Sequence, residues 1–371
     1  MPARFISSEI YRATGYRGNH PLAIQRIGSV LTLCEQLGWL PGGYEDSERA
    51  SRDELLKFHT PDYIDAIVTC ERERRVSEAV RERYKIGTLE NPVFEGLYER
   101  ASMSVGGSIQ CARLALDSGV AYHPSGGTHH GMRDHASGFC FFNDPVFAML
   151  TFLEAGLERV LYVDLDAHHG DGVEVALAGD PRVMTISMHE ENRWPWTGTL
   201  EDRAGGRARN LAVPGRMNDS EFDYLMAHAV LRLARNFAPQ AVVITCGADP
   251  LAGDPLSSLE LSNTALWDAV VALTQVAPHT AVLGGGGYNP WTVARCWTGL
   301  WGRLAGYEIP SELPAESRAL LEALDCDLVD DEDDMQPGWT TTLADPRNDG
   351  MIRERFREIA EAVLAPEEEV A

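Results

Sequence analysis

Leu161–Gly172 reads L-Y-V-D-L-D-A-H-H-G-D-G. The run opens apolar and β-branched, as suits a buried strand, and then places Asp164, Asp166, His168, His169 and Asp171 within eight positions. Gly170 and Gly172 stand where such a strand would have to turn. Side chains of an extended strand alternate between its faces, so Asp164, Asp166 and His168 project to one side for as long as the extended geometry lasts. Burying two carboxylates so close together is costly unless cations or hydrogen-bond donors compensate, and a metal is the economical compensation. A polar loop after a strand is the plainer alternative.

The run sits in a chain of 371 residues, enough for one large α/β domain or two ordinary ones, and 44% hydrophobic content supplies an ample core. Lysine and arginine number 32 against 56 acidic residues, a net charge of -24. So acidic a surface repels nucleic acid and anionic membrane and attracts cationic proteins or amines. Part of the acidity is local, in Asp325, Asp327, the run Asp330–Asp334 and the tail Glu367–Glu369, which reads as a solvated face. Seven cysteines are scattered without C-x-x-C spacing, which fits neither a disulfide framework nor a cysteine zinc site and points to a reducing, cytoplasmic setting. The N-terminus has no signal-peptide core, and no apolar run is long enough to span a bilayer.

Outward from the run, the pattern alternates. Strands are expected at Arg4–Ser7, Val120–His123, Arg159–Asp164, Val183–Ser187, Ala241–Thr245 and Thr280–Gly284, with helices at Pro145–Ala155, Asp219–Phe237 and Ser262–Val276 among them. Before these come helices at Leu22–Leu37, Arg52–Phe58, Asp62–Val68 and Phe94–Ser118, and a charged, exposed stretch at Arg72–Lys85. Helices at Ala315–Leu324 and Asp349–Leu364 follow. The alternation predicts an α/β fold, an open and mostly parallel sheet with helices on both faces, whose function gathers beyond the carboxyl ends of the strands. One domain, 1–371, is expected, with an acidic and less regular extension from about residue 303.

Four strand ends carry unusual residues: His129 and His130 after a glycine pair, the Asp164–Asp171 group, Asp249 in C-G-A-D-P, and Tyr288 after four glycines. Each alone has an ordinary reading as a loop, cap, turn or packing residue. Their convergence at one sheet edge would make a cleft. A metal held by Asp166, His168 and Asp249 would keep positions open for water and substrate, as catalytic zinc does, although iron(II), cobalt or manganese fit the same donors. His129 or His130, oriented by Asp164 or Asp171, would take the proton of a metal-activated water, and Tyr288 would donate to a developing oxyanion. These parts describe metal-assisted amide hydrolysis.

The segments G-G-T-H-H-G-M-R-D-H-A-S-G-F-C-F-F-N-D, L-Y-V-D-L-D-A-H-H-G-D-G-V, C-G-A-D-P-L-A-G-D-P-L and L-G-G-G-G-Y-N resemble the zinc-dependent histone deacetylases, most closely their bacterial histone-deacetylase-like and acetoin-utilisation branch. N-H-P-L-A-I-Q-R and I-G-T-L-E-N-P extend the similarity to most of the chain, from Phe5 to about Gly302. The resemblance implies an arginase-like α/β fold and a narrow tunnel ending at zinc held by Asp166, His168 and Asp249. It makes His130 the proton-shuttling base and His129 its electrostatic partner, with Asp171 and Asp164 bonded to them respectively, and gives Tyr288 the acyl carbonyl. It also implies a potassium ion near the zinc, held by Asp164, Asp166, His168, Ser187 and the Met188 backbone.

By the same resemblance Gly138, Phe139 and Trp194 wall the tunnel, Leu256 lies near its rim, Glu90 holds the substrate backbone, and Arg26 lines an internal cavity for acetate. Thr128 replaces a tryptophan of many eukaryotic members, Glu90 is longer than the usual aspartate, and Trp194, with Pro195 and Trp196 behind it, narrows the tunnel; these departures bear on substrate preference. The expected substrate is an acylated lysine in proteins. An acylated polyamine, a non-catalytic acyl-lysine binder and an arginase-like manganese hydrolase are the alternatives.

Overall fold

Eight short runs, richest in β-branched residues in β4, β5, β7 and β8, become the strands of one sheet: β1 (Arg4–Ser7), β2 (Glu45–Asp46), β3 (Val120–His123), β4 (Val160–Asp164), β5 (Val183–Glu190), β6 (Ala208–Val213), β7 (Ala241–Thr245) and β8 (His279–Leu283). The computed structural model describes residues 2–329 and 335–365; the acidic run Asp330–Asp334 and the tail Glu367–Glu369 lie outside the described residues. The strand order is β2-β1-β3-β8-β7-β4-β5-β6, and the pairings are parallel throughout. A parallel sheet must be covered on both faces, because its crossover connections return across them. Leu161 and Val163 of β4, Val242 and Ile244 of β7 and Val282 of β8 enter one core. Their alternates Val160, Tyr162, Ala241, Val243, Ala281 and Leu283 enter the other, so β4 is buried along its whole length.

Strand order and register position the site. β3, β8, β7 and β4 are immediate neighbours, and one transverse row runs His123, Leu283, Thr245, Asp164, Ser187. The four loops that the sequence singles out therefore leave the sheet side by side at its carboxyl edge.

Helices depart from expectation where tertiary contacts override local pattern. Leu22–Leu37 is not one helix: Pro21–Ala23 forms a 3-10 turn, Arg26 leaves helical geometry, and the α-helix runs Ile27–Gln36. The charged stretch becomes parts of two helices, Pro61–Glu73 and Glu78–Tyr84, divided where Arg74 turns left-handed. Asp219–Phe237 carries a π-helical turn at Met226–Val230. The last helix starts at Glu354.

Strands β2 and β6 and helices Asp171–Leu177 and Pro290–Ala305 were not anticipated. The last of these is buried along most of its length, and its caps mark both of its ends. Asn289 accepts from the N–H groups of Trp291 and Thr292, Pro290 opens the first turn, and Gly306 ends the helix left-handed. Trp297 of this helix donates its indole N–H to the Cys246 carbonyl at 3.0 Å, bracing the end of β7. All seven cysteines are buried and unpaired. No helix among the described residues is long and apolar enough to cross a membrane.

His59 ties this frame to the site. Its Nδ1 donates to the Arg133 carbonyl (3.2 Å) and its Nε2 accepts the Asn143 N–H (3.1 Å), while the Asn143 side chain holds the carbonyls of His129 and Gly131. Burial pushes His59 down from 6.5 to about 3, and a proton on Nε2 would face the Asn143 N–H. Below about pH 6.5 the unfolded chain binds this proton and the folded chain does not, so stability falls with pH by up to about 1.4 kcal/mol per pH unit. Urea unfolding should therefore lose more stability between pH 7 and pH 5 in the wild type than in His59→Gln; equal losses would contradict this account.

Candidate active site

The paired histidines are set by buried polar residues around the loop after β3. Asp144, fully buried, accepts the N–H groups of Gly127 (2.9 Å) and Thr128 (2.8 Å) and the Ser108 hydroxyl. Gly127 has φ 93°, and a Cβ there would collide with Gly284 of the neighbouring strand end. So held, His129 Nδ1 meets Asp164 Oδ2 at 2.7 Å and His130 Nδ1 meets Asp171 Oδ1 at 2.7 Å, with ring centroids 3.9 Å apart. Tyr162 donates a further hydrogen bond to the same Asp164 oxygen at 2.6 Å. Burial opposes a charge on His129, but the carboxylates of Asp164 and Asp166 outweigh it and raise the ring to about 9. His130 goes the other way, lowered to about 4 by burial and by the charge of His129.

Asp166, His168 and Asp249 bring one candidate ligand atom each within 4.8 Å of one another. His168 Nδ1 lies 2.9 Å from Asp249 Oδ2 and 3.3 Å from Asp166 Oδ1. Backbone donors serve the carboxylates: the N–H groups of Gly286 (2.6 Å) and His168 (3.0 Å) reach Asp166, and the Ala167 N–H reaches Asp249 Oδ1 (3.0 Å). A Cβ on Gly247 or Gly286 would run into these carboxylate oxygens, which explains the glycines beside both motifs. Burial and the charge of Asp166 raise Asp249, whereas His168 is raised to about 10 against its burial by the two carboxylates. The cluster is short of positive charge. Two carboxylates and an imidazole nitrogen suit zinc or another divalent ion.

Tyr288 closes the set. Asp254, buried and without a place in the sequence-based site, accepts the Tyr288 N–H (2.7 Å) and the Leu256 N–H (2.9 Å), so one carboxylate fixes both the tyrosine and the rim. Burial and then the charges of Asp249 and Asp166 push the phenol well up, keeping it a donor. Tyr288 lines a cavity of about 560 Å³ together with His130 and His168, and all five expected tunnel residues, Glu90, Gly138, Phe139, Trp194 and Leu256, line it too. Gly138, at φ 54°, has no room for a Cβ between Trp194 and His130. His129 is not among the lining residues.

Arg26 lies apart from the tunnel. It lines a second cavity of about 120 Å³ with Tyr16, Arg100 and Thr128, bonds the Gly285 carbonyl and sits 4.8 Å over the Trp297 ring. Of the potassium candidates, Ser187 is the register partner of Asp164 and touches His189 Nδ1 at 2.9 Å, with Met188 next along β5. His169 is a buried bridge from Thr197 (2.9 Å) to Glu174 (3.2 Å). Sequence reasoning missed Asp144, Asn143 and Asp254 as site supports, although all three lie inside the quoted motifs. Asp166→Asn removes one charge from the metal cluster; zinc retained after dialysis against a weak chelator should fall roughly tenfold or more. Unchanged zinc content would contradict the ligand set.

Residues 20–304 match the histone deacetylase domain. The chain is 33% identical over 329 residues to the acetoin utilization protein AcuC of Bacillus subtilis, covering 84% of each. It is 36% identical over 313 residues to histone deacetylase 1 of Homo sapiens, covering 81% of this chain and 64% of that protein, so it spans just under two thirds of that relative's length. The crystal structure of an HDAC homolog from Aquifex aeolicus matches with a TM-score of 0.93 at 34% identity, over 98% of this chain and 100% of that one. An HDAC homolog complexed with SAHA matches with the same TM-score, identity and coverage. The fold is the arginase- and deacetylase-like α/β fold, and the chain belongs to the histone deacetylase family.

Proposed function

We propose that the protein is a zinc-dependent deacylase that hydrolyses the amide of Nε-acetyl-lysine in proteins. The observation that carries this reading is the meeting, at one tunnel, of two carboxylate-paired histidines, an Asp-His-Asp donor set and a tyrosine. Phe139 and Trp194 give the tunnel apolar walls suited to the methylene stem of lysine, whose backbone stays outside. Asp166, His168 and Asp249 would hold the zinc, and iron(II) suits the same donors. Bound there, the ion supplies Lewis acidity for the acyl carbonyl and the attacking water.

The other steps belong to side chains. His130 lines the tunnel with Nδ1 on Asp171, leaving Nε2 to take the water proton as the new C–O bond forms. His129, behind it on Asp164, is the electrostatic partner. The Tyr288 hydroxyl donates to the acyl oxygen as negative charge gathers there. When the C–N bond breaks, the proton on His130 passes to the leaving amine, giving acetate and free lysine.

The potassium ion, held by Asp164, Asp166, His168, Ser187 and the Met188 backbone, is part of the same proposal, supported by the pairing of Ser187 with Asp164. A cytoplasmic setting is supported by seven unpaired cysteines, and a single deacetylase domain by the one continuous sheet. Tyr288→Phe removes only a hydroxyl; kcat should fall by about 10²–10³ with zinc content unchanged. Full activity would refute the role of the tyrosine. On a panel of acetyl-lysine peptide and acetylspermidine, acetate should come from the peptide; release from the polyamine alone would overturn the protein-substrate reading.

A further inference from the structure

Trp194 and Trp196 stand two residues apart on the loop after β5, and their surroundings differ. Trp194 packs inward, its ring 4.6 Å from His130 and 6.2 Å from His168. Trp196 lines the same cavity yet is 71% exposed. It also holds a left-handed backbone conformation, φ 65°, which bulky residues adopt only at a cost. The loop is fixed from both sides. Thr197 Oγ1 meets His169 Nδ1 at 2.9 Å, and the His169 ring fills the space where Gly198 lacks a side chain. Arg193 pairs with Glu190 and donates to the Leu256 carbonyl at 2.8 Å, and the Trp196 N–H closes a turn on the Arg193 carbonyl at 2.9 Å. His169 thereby ties the rim loop to the strand end that carries Asp166 and His168. The exposed indole is held at the mouth by fixed backbone.

The charges around the mouth favour a cation. Glu90 lines it, with one carboxylate oxygen on the Gly138 N–H at 2.7 Å. Arg193, the basic residue of that lining, is neutralised by Glu190. The chain as a whole carries -24. Leu89, next to Glu90, is 97% exposed and adds apolar surface beside a mouth residue.

We propose that Trp196 is a specificity-determining residue whose ring receives the cationic side chain of a lysine or arginine flanking the acyl-lysine. The proposal rests on the acyl-lysine deacylase reading of the tunnel. A lysine stem that reaches His130 and Tyr288 leaves its backbone at the mouth, so its sequence neighbours are the groups that meet Trp196. The indole face attracts a cation through its quadrupole, and the Glu90 carboxylate adds to the attraction.

Steady-state kinetics of the zinc-loaded wild type, Trp196→Ala and Trp196→Phe test this. Three substrates are compared: an acetyl-lysine peptide with lysine neighbours, the same peptide with alanine neighbours, and a capped acetyl-lysine amide with no neighbours. The wild type should prefer the lysine-flanked peptide. Trp196→Ala should raise KM for that peptide by roughly two- to fivefold at unchanged kcat, and leave the other two substrates alone. Trp196→Phe, which keeps a ring, should retain part of the preference even where alanine disturbs the loop. Equal losses on all three substrates, or a wild type indifferent to the neighbours, would overturn the proposal and leave the deacylase reading intact. A wild type that releases acetate from none of them would overturn the deacylase reading, and this proposal with it.

Discussion

Asp166 and Asp249 are fully buried, and both reach the same imidazole, His168. The backbone N–H groups that reach them, of Gly286 and His168 on Asp166 and of Ala167 on Asp249, do not balance two carboxylates so placed. A divalent cation held there would resolve the charge, and much of the local sequence serves that arrangement. Gly247, Gly285 and Gly286 keep the backbone thin where side chains would strike the carboxylates or the adjoining chain. The parallel sheet contributes because its loops leave from one edge, so residues far apart in the chain, such as His130 and Tyr288, meet without any long excursion.

Each reactive group is held by a second buried polar residue. Asp164 and Asp171 orient the two histidines, Asn143 and Asp144 hold the loop that carries them, and Asp254 holds Tyr288. Hydrogen bonds in so dry a place are strong and their absence is costly, so these supports fix positions closely. Asp254 has a further effect. By gripping Leu256 as well, it couples the tyrosine to the rim, and Arg193 carries the link on to the loop of Trp194 and Trp196.

Much of this was legible in the sequence, because the central strands β4, β7 and β8 are short apolar runs with β-branched residues and each motif follows its strand directly. Asp164–Asp171, His129–His130, Asp249 and Tyr288 could be placed by topology alone. What could not be read depended on distant packing. Pro290–Ala305 is buried from Pro290 to Gly302, among residues far away in the chain. Arg26 reaches Gly285 only because the helix after it starts late, at Ile27. β6 carries Arg209 and Asn210 amid its apolar residues and shows no clean alternation. The exposure of Trp196 depends on a left-handed turn that no spacing announces.

Zinc K-edge X-ray absorption on the zinc-loaded protein tests the central claim most directly. The Asp166, His168 and Asp249 cluster predicts a first shell of oxygen and nitrogen at about 2.0–2.2 Å with the outer scattering of one imidazole. A sulfur scatterer at about 2.3 Å, or the signature of two or more imidazoles, would contradict it.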